Sequence, residues 1–326
     1  MTTRAQNSQD AIDLEEVFEV DKLGEGGPVR ARLFAFNTFV ALDAYGRDDV
    51  CRRALVAARD ACRDYERLFS RTLPCSDIAR ANAAQGEAVE VDPRTFDLLE
   101  RALHYCSESN GVFDVTVGPL VRLWDFRRGT IADERALADA VQHVGWRGVE
   151  LSREGNRRFV RMKDPRAALD LGGIAKGWIA DALCDLLASF GLSSFIVNLG
   201  GNVAVRGEKP TGGPWRIGIR DPRDPNALVG AVPLDEGSAV TSGTYERAFH
   251  HEGRLYHHVL DPCTGMPVAT DAAGVTVVSN RSIDAEGFST TLLALGIERG
   301  CAFARDHEEI AQAYFVDNEG RVTLAC

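Results

Sequence analysis

The sequence predicts an α+β fold. Its 326 residues alternate between helical and strand-like patterns without the regular strand–helix–strand repeat of a doubly wound sheet. Apolar residues recur at steps of three and four from residue 48 to residue 69, which indicates an amphipathic helix, whereas strand-like runs follow closely on one another after residue 194. With 45% hydrophobic and 26% charged residues, the composition is that of a globular protein with a substantial core.

The elements follow in chain order. Residues 1–28 are polar and end in a glycine-rich run, which predicts a flexible tail, and one folded domain is expected over residues 29–326. The first helix starts at residue 48, capped by Asp48 or Asp49, and a second runs from Pro93 towards Gly111. Further helices are expected over residues 133–143 and 175–190 and from residue 284, and strands over residues 32–43, 194–206, 214–220, 237–241, 256–260, 273–279, 311–316 and 321–325.

Charge and cysteine content narrow the class of protein. The formal net charge of -11 argues against a general surface for nucleic acid or anionic membranes, although a local basic pocket for phosphates is compatible with it. The polar N-terminus lacks the apolar core of a secretory signal, and no apolar stretch is long enough to span a membrane. The eight cysteines include no CxxC pair, which fits a reducing compartment. A cytoplasmic protein is therefore expected.

Residues 170–177, Asp-Leu-Gly-Gly-Ile-Ala-Lys-Gly, lie where a strand gives way to a helix. Paired glycines let a backbone approach a ligand closely, a helix N-terminus offers N–H groups to an anion, and Lys176 adds a positive charge. The segment lacks both standard nucleotide-binding patterns, GxGxxG and GxxxxGK[ST]. An ordinary tight turn and an anion site therefore explain these residues equally well.

Side chains that could hold a metal or a proton stand at two further places. Glu286 and Thr290 are four residues apart at the start of a helix, so both project from one face. A carboxylate and a hydroxyl suit Mg²⁺, although an acid in the first turn also simply stabilises the helix dipole. His257 and His258 adjoin a turn, and because neighbouring strand residues point to opposite faces, at most one of them faces a site.

These blocks, together with one around Asp114 and another around Gly200 and Gly201, resemble in their order the ApbE family of FAD:protein FMN transferases. The resemblance runs from about residue 33 to the end of the sequence. The matching residues are Leu68, Phe69, Ser70, Ser76 and Asn82; residues 111–120 with Leu123 and Trp124; residues 170–177 with Asp181; residues 198–202; Pro214, Trp215, Gly218 and Ile219; Thr241, Ser242, Gly243, Tyr245, Glu246 and Arg247; residues 258–265; and residues 285–290.

The resemblance implies a fold and an activity. The fold would be T-fold-related, with mixed and antiparallel sheets flanked by helices and an FAD site in a central cleft. The activity would be a Mg²⁺-dependent transfer, with Mn²⁺ as an alternative metal, in which a threonine or serine hydroxyl of a target flavoprotein attacks the FMN phosphorus of FAD and AMP leaves. Two alternatives remain open: hydrolysis of FAD to FMN and AMP, and FAD binding without turnover.

The resemblance also implies roles for individual residues. The metal would be held by Glu286, Thr290 and the carbonyl oxygen of Gly173, and His258 would activate or orient the incoming hydroxyl. The residues expected to contact FAD are Phe36, Ser70, Arg71, Thr72, Asp114, Lys176 and Val259.

The sequence departs from the family pattern at three places. Glu286 stands where the family usually has aspartate, and the extra methylene must be absorbed because Mg²⁺ requires near-ideal geometry. Phe36, Asn37 and Thr38 stand where the family has Met-Gly-Thr, and Thr244 replaces the acidic residue that commonly follows Thr-Ser-Gly in the family. Loss of the glycine is expected to alter how closely the backbone approaches the flavin.

Overall fold

Seven α-helices and a short 3₁₀ helix (Trp146–Gly148) organise the part of the chain that the computed structural model describes, residues 18–325. The α-helices are α1 (Asp48–Phe69), α2 (Asp77–Ala83), α3 (Pro93–Glu108), α4 (Gly118–Val121), α5 (Glu134–Val141), α6 (Ala175–Ser189) and α7 (Ser282–Arg305). The five predicted helices are confirmed. The predicted cap of α1 is wrong, because Arg47 occupies the cap position without a side-chain bond and Asp48 and Asp49 lie inside the first turn.

Sixteen strands complete the described part of the chain. They are β1 (Phe18–Lys22), β2 (Val29–Ala35), β3 (Thr38–Tyr45), β4 (Val89–Glu90), β5 (Val149–Glu154), β6 (Arg157–Met162), β7 (Ser194–Leu199), β8 (Asn202–Arg206), β9 (Trp215–Asp221), β10 (Asp224–Leu234), β11 (Gly237–Gly243), β12 (Ala248–His251), β13 (Arg254–His257), β14 (Ala272–Ser279), β15 (Gln312–Asp317) and β16 (Val322–Leu324).

Nine of these strands form one antiparallel sheet in the order β1-β2-β3-β7-β8-β11-β14-β15-β16. Helices α1, α6 and α7 pack on this sheet and on one another, and their apolar sides share one large core with the strands. The hairpin β9–β10 builds a second, smaller core with residues of the sheet. The expected α+β architecture of antiparallel sheets flanked by helices is thereby confirmed.

The folded part of the chain begins earlier than the predicted boundary at Val29. Residues 18–22 form β1, which pairs with β2 from Phe18 opposite Leu33 to Lys22 opposite Val29. Its alternation of half-buried and exposed residues is that of an edge strand. The polar composition concealed this strand, because only every second residue packs inward. The rest of the predicted tail, residues 1–17, lies outside the described residues.

The predicted strand over residues 32–43 is a hairpin of β2 and β3. Phe36 and Asn37 form its two-residue turn, both with positive φ, at 55° and 58°. Asparagine tolerates this conformation, so Asn37 can replace the glycine of the family pattern without opening the turn. The predicted strand over residues 194–206 likewise divides into β7 and β8, at the turn formed by Gly200 and Gly201.

No helix among residues 18–325 has the length and apolar character that crossing a membrane requires.

Candidate functional site

The close contact between helices α6 and α7 creates the candidate site. A Cβ atom at Gly177 would lie 2.7 Å from the Cβ atom of Glu286 and 2.7 Å from the backbone oxygen of Ser282. Such distances are far below van der Waals contact, so the two helices can meet here only because residue 177 has no side chain. The contact places Lys176 of α6 beside Glu286 of α7.

Glu286 is almost fully buried, with 4% of its surface exposed, and both of its carboxylate oxygens have partners. Its Oε1 forms an ion pair with the Nζ of Lys176. Its Oε2 accepts a hydrogen bond of 2.6 Å from the Nδ2 of Asn202, which begins β8. Burial of a carboxylate is costly unless it is paired and hydrogen-bonded, and both conditions are met here.

Thr290 and Gly173 lie close together at the same place. A Cβ atom at Gly173 would be 3.8 Å from the Oγ1 of Thr290 and 3.1 Å from the ring of Phe113. Of the three predicted metal ligands, Glu286 and Thr290 therefore lie one turn apart on α7, and Gly173, two residues before α6, lies close to Thr290. A carboxylate, a hydroxyl and a backbone carbonyl are hard oxygen donors, which fit Mg²⁺ or Mn²⁺. Among residues 18–325 there is no cluster of three or more His, Cys, Asp and Glu side chains that could hold a metal.

Asp170 shapes the turn that leads into α6. Its Oδ1 accepts a hydrogen bond of 2.8 Å from the N–H of Gly172, and its Oδ2 pairs with the Nε of Arg71 at 2.9 Å. The amide side chain of Asn82 exchanges two hydrogen bonds with the backbone of Leu169, of 2.9 Å and 2.7 Å. These contacts hold residues 71 and 82, which are far from this turn in the sequence, beside residues 169–172.

The N-terminus of α6 has fewer donors for an anion than the sequence suggested. The N–H groups of Gly172, Ile174, Ala175 and Gly177 already donate within the chain. The positive charge of Lys176 is therefore the principal feature of this turn that can attract an anion.

The predicted FAD contacts at residues 70–72 form a compact turn at the end of α1. The Oγ of Ser70 accepts hydrogen bonds of 3.1 Å from the N–H groups of Thr72 and Leu73. The Arg71 side chain reaches Asp170, so this turn adjoins residues 170–177.

Asp114 is 6% exposed, and its carboxylate is fully engaged within the chain. Its Oδ1 accepts hydrogen bonds from the N–H and the Oγ1 of Thr116, at 2.7 Å and 2.6 Å, and its Oδ2 accepts one of 3.0 Å from the N–H of Trp146. Burial raises the pKa of Asp114, and these hydrogen bonds counteract the rise. The residue shapes the loop that places Phe113 against Gly173.

His258 and Val259 follow directly after β13. Burial lowers the pKa of His258 to about 4, and the positive charges of Arg247 and Lys176 act in the same direction. The imidazole is therefore neutral at pH 7, and its buried Nδ1 has no hydrogen-bond partner among residues 18–325. His257, by contrast, is directed to the backbone, with its Nε2 3.2 Å from the carbonyl oxygen of Val268. The carbonyl oxygen of Val259 accepts a hydrogen bond of 3.0 Å from the N–H of Val268.

Phe36 occupies the tip of the β2–β3 hairpin in a backbone conformation that bulky residues rarely adopt. A hydrogen bond of 2.8 Å from its N–H to the Oε1 of Glu66 holds it there, and its ring packs against the core. The next residue, Asn37, accepts a hydrogen bond of 2.9 Å from Arg127. Strained positions of this kind are concentrated at functional sites.

Positive charges surround Glu246, one of the residues that match the family pattern. Its Oε1 lies 3.8 Å from the position that a Cβ atom would take at Gly201. Partial withdrawal from water raises the pKa of Glu246, while the charges of Lys176, Arg220 and Arg247 oppose the rise. The neighbourhood of Glu286 is thus locally basic in a protein of net charge -11, as a site for phosphates requires.

Two cavities in the described part of the chain lie away from Glu286, one beside the segment that follows α5 and one against α5 itself. One, of about 200 Å³, is lined by residues that include Thr116, His143 and Asp164. The other, of about 500 Å³, is an open groove with Leu137 and Met266 among its lining residues. Neither cavity is lined by a residue of the α6–α7 contact. The carboxylate, hydroxyl and ammonium groups at that contact make it the better candidate site.

Asn202 and Ser282 are two residues beside Glu286 whose contacts the sequence did not predict. Asn202 belongs to the block after Gly200 and Gly201, but no pattern indicated that its side chain would reach Glu286. Ser282 hydrogen-bonds to Asn202, and its place at the start of α7 gave no signal. Both roles depend on tertiary packing between β8 and α7.

Comparison with known proteins identifies the family of the chain. The profile of the ApbE family matches residues 36–315. The FAD:protein FMN transferase of Treponema pallidum is 37% identical over 274 residues, which cover 79% of this chain and 75% of that protein. An FAD:protein FMN transferase of Klebsiella pneumoniae is 35% identical over 265 residues, which cover 80% of this chain and 81% of that protein.

Solved structures share the fold. The ApbE protein of Thermotoga maritima superposes with a TM-score of 0.83 at 28% identity, over 91% of this chain and 96% of that one. The apo form of the flavinyl transferase ApbE of Pseudomonas stutzeri gives a TM-score of 0.78 at 29% identity, over 94% and 95% of the two chains. On the sequence match and the shared fold, this chain belongs to the ApbE family.

Proposed function

We propose that the protein transfers the FMN part of FAD to a threonine or serine hydroxyl of a target flavoprotein and releases AMP, with Mg²⁺ as the metal and Mn²⁺ as an alternative. The observation that carries the proposal is the convergence of Lys176, Glu286, Thr290 and Gly173 where α6 meets α7. Two of the relatives described above are named FAD:protein FMN transferases, which supports the assignment.

The metal would be held by Glu286, Thr290 and the carbonyl oxygen of Gly173. When bound, it would neutralise charge on the pyrophosphate of FAD. Lys176 supplies a second positive charge to the same phosphates. Because phosphoryl transfer depends mostly on positioning and charge neutralisation, these groups provide what the reaction requires.

The chemical step moves one phosphorus between two oxygens. The acceptor oxygen forms a bond to the FMN phosphorus, the bond from that phosphorus to the bridging oxygen breaks, and AMP leaves with that oxygen. The hydroxyl proton passes to the neutral imidazole of His258, which the lowered pKa keeps unprotonated at pH 7.

FAD would lie in the cleft between the β2–β3 hairpin, the turn after α1 and the α6–α7 contact. Phe36 would pack on a ring of FAD, and Ser70, Arg71, Thr72 and Val259 would contact the rest of the molecule. Asp114 would act through the loop it shapes. This arrangement is supported by the Arg71–Asp170 ion pair, which joins two of the walls.

One experiment separates transfer from the two alternatives. The protein is incubated with FAD, Mg²⁺ and a target domain that bears an acceptor threonine, and intact masses and free nucleotides are recorded. An FMN adduct on the target supports transfer, whereas AMP and free FMN without an adduct indicate hydrolysis. Unchanged FAD would rule out both reactions and leave FAD binding alone.

The same assay tests the metal assignment through Glu286→Gln. We expect the adduct to disappear, because a neutral amide is a poor ligand for Mg²⁺. The matched control is Glu150→Gln, which removes the partner of Lys163 in the β5–β6 hairpin. Undiminished transfer by Glu286→Gln would refute the assignment.

The location of the activity is part of the proposal. We assign it to the cytoplasm, where a target flavoprotein would be modified. The support is that Cys51, Cys62, Cys106 and Cys184 are buried free thiols, a state that a reducing compartment preserves.

A further inference from the structure

The two oxygens of Glu286 are held in different ways. On one side stands Asn202, which is 1% exposed. On the other stands Lys176, whose side chain is 25% exposed, compared with 5% for that of Glu286. One partner is therefore held in the interior, and the other is a long, flexible cation with access to solvent.

A buried chain of hydrogen bonds fixes the Asn202 side. The Oγ of Ser282 donates to the Oδ1 of Asn202 at 2.7 Å, and the Oγ of Ser238 lies 3.1 Å from that of Ser282. Because the amide oxygen of Asn202 accepts from Ser282, its Nδ2 must point at Glu286, to which it donates at 2.6 Å. The Oε2 of Glu286 is thereby committed, and the Oε1 remains as the oxygen that can change partners.

We propose that Lys176 and a divalent cation compete for the Oε1 of Glu286, so that metal binding releases Lys176 to the anionic substrate. This inference rests on the metal site of the proposed function and adds a switch to it. Without metal, Lys176 compensates the buried carboxylate. With metal, its ammonium group moves into the cleft, where Glu246 is the neighbouring acid until a pyrophosphate arrives.

The exchange couples the binding of the metal ion to the binding of the phosphates. A metal ion that displaces Lys176 creates a free cation for phosphates, and phosphates that attract Lys176 leave Glu286 open to the metal. Because such coupling is reciprocal, each ligand must tighten the binding of the other by the same factor. Asn202 acts as a positioning residue, since it keeps one oxygen of Glu286 directed at the exchange.

Mn²⁺ titration followed by electron paramagnetic resonance tests the competition without any turnover. We expect Lys176→Met to bind Mn²⁺ about tenfold more tightly than the unchanged protein in the absence of nucleotide, a size typical of coupled binding. The matched control is Lys163→Met, which removes an exposed lysine paired with Glu150 and leaves the affinity unchanged. Equal or weaker Mn²⁺ binding by Lys176→Met would overturn the proposal.

The positioning role of Asn202 predicts that its replacement weakens Mn²⁺ binding, whereas Lys176→Met strengthens it. Asn202→Leu removes the donor at similar volume, and we expect Mn²⁺ to bind about 10–100-fold more weakly, as for other groups that orient a metal ligand. Ser282→Ala keeps the donor but frees its orientation, and a smaller loss is expected. It also replaces Asn202→Leu as the test should the leucine variant fail to fold. Unchanged Mn²⁺ affinity in both variants would show that Asn202 does not position Glu286.

A direct view of Lys176 is available because the sequence contains only four lysines, at positions 22, 163, 176 and 209. Reductive methylation with ¹³C-formaldehyde labels each of them, and Lys→Arg variants assign the resonances. Addition of Mg²⁺ should shift the Lys176 resonance and leave Lys22 and Lys163, in their surface ion pairs, where they were. A Lys176 resonance that does not move while Mg²⁺ binds would contradict the exchange.

These readouts distinguish the switch from the proposed function. Mn²⁺ binding and the lysine resonance can be measured whether or not FMN is transferred. If the unchanged protein transferred no FMN but the variants showed the predicted Mn²⁺ affinities, the exchange of Lys176 for the metal would stand and only the proposed transfer reaction would be refuted. If the unchanged protein transferred FMN but Lys176→Met bound Mn²⁺ with unaltered affinity, only the exchange would be refuted.

Discussion

Gly177→Ala tests whether the contact between α6 and α7 builds the site. The new Cβ atom would lie 2.7 Å from the Cβ of Glu286 and 2.8 Å from the Cα of Ile283. Carbon atoms in contact normally stay about 3.5–4.0 Å apart, so the two helices must separate by roughly 1 Å. Mg²⁺ binds at about 2.0–2.1 Å with little tolerance, so such a displacement would remove Glu286 from the proposed coordination geometry.

The expected loss of stability is moderate. Overpacking costs about 1–3 kcal/mol, and the better helix propensity of alanine returns up to about 1 kcal/mol, so the free energy of unfolding should fall by about 1–2 kcal/mol. The Mn²⁺ affinity and the rate of FMN transfer should fall much further, by about 100-fold, because a 1 Å misplacement is enough to disable a catalytic arrangement. Urea denaturation measures the first quantity, and Mn²⁺ titration with the mass assay measures the others.

Gly300→Ala is the matched control. Its Cβ atom would lie 2.7 Å from the ring of Phe315, an overlap as severe as that at Gly177. However, it stands in the second half of α7, beyond the break in the helix at Gly296. We expect a similar loss of stability with little change in Mn²⁺ affinity. The reasoning would be refuted if Gly177→Ala bound Mn²⁺ like the unchanged protein, or if both variants lost affinity equally.

Three further variants probe other parts of the site. Thr290→Val removes the hydroxyl of a proposed metal ligand at nearly constant volume, so Mn²⁺ binding should weaken about tenfold while the urea midpoint stays nearly unchanged. A midpoint that falls without loss of Mn²⁺ affinity would assign Thr290 to the fold alone. His258→Gln should flatten the pH dependence of unfolding. Because folding lowers the pKa of His258 from 6.5 to about 4, its contribution to stability is complete above pH 6.5 and declines by about 3 kcal/mol as the pH falls towards 4. Urea titrations of the variant across this pH range should lack that decline. Arg71→Met breaks the ion pair with Asp170 and should cost under about 1 kcal/mol of stability, because the Arg71 side chain is 39% exposed to solvent, yet it should weaken FAD binding in calorimetry several-fold. Arg166→Met, which breaks an exposed pair with Asp139, should leave FAD affinity unchanged.

Local patterns predicted the five longer helices, but neither the short α2 and α4 nor all of the strands. Helix α1 repeats its buried residues at helical spacing along 22 residues, so the pattern itself carries the information. Strand β10 escaped prediction because Pro225 and Pro233 interrupt it, and proline normally argues against a strand. The turn at Phe36 and Asn37 was missed because a bulky aromatic residue rarely takes positive φ.

The site itself was predicted only through the resemblance. Spacing could place Glu286 and Thr290 on one helix face, but not bring Gly173 to them, because that proximity arises where α6 crosses α7. The ion pair of Lys176 and the hydrogen bond of Asn202 depend on how β8 stacks beneath both helices. No local pattern encodes such packing, and the Lys176–Glu286 pair therefore emerged only from the structure.

The 110 residues that separate Lys176 from Glu286 in the chain also bear on how the protein folds. Between them run β7, β8, β11 and β14, whose pairing must close the middle of the sheet before α7 can reach α6. Contacts of such long range form slowly, since the entropy of loop closure is lost before the contact is gained. In refolding, recovery of tight Mn²⁺ binding should therefore lag behind the helical signal in circular dichroism, so that the metal reports completion of the central sheet.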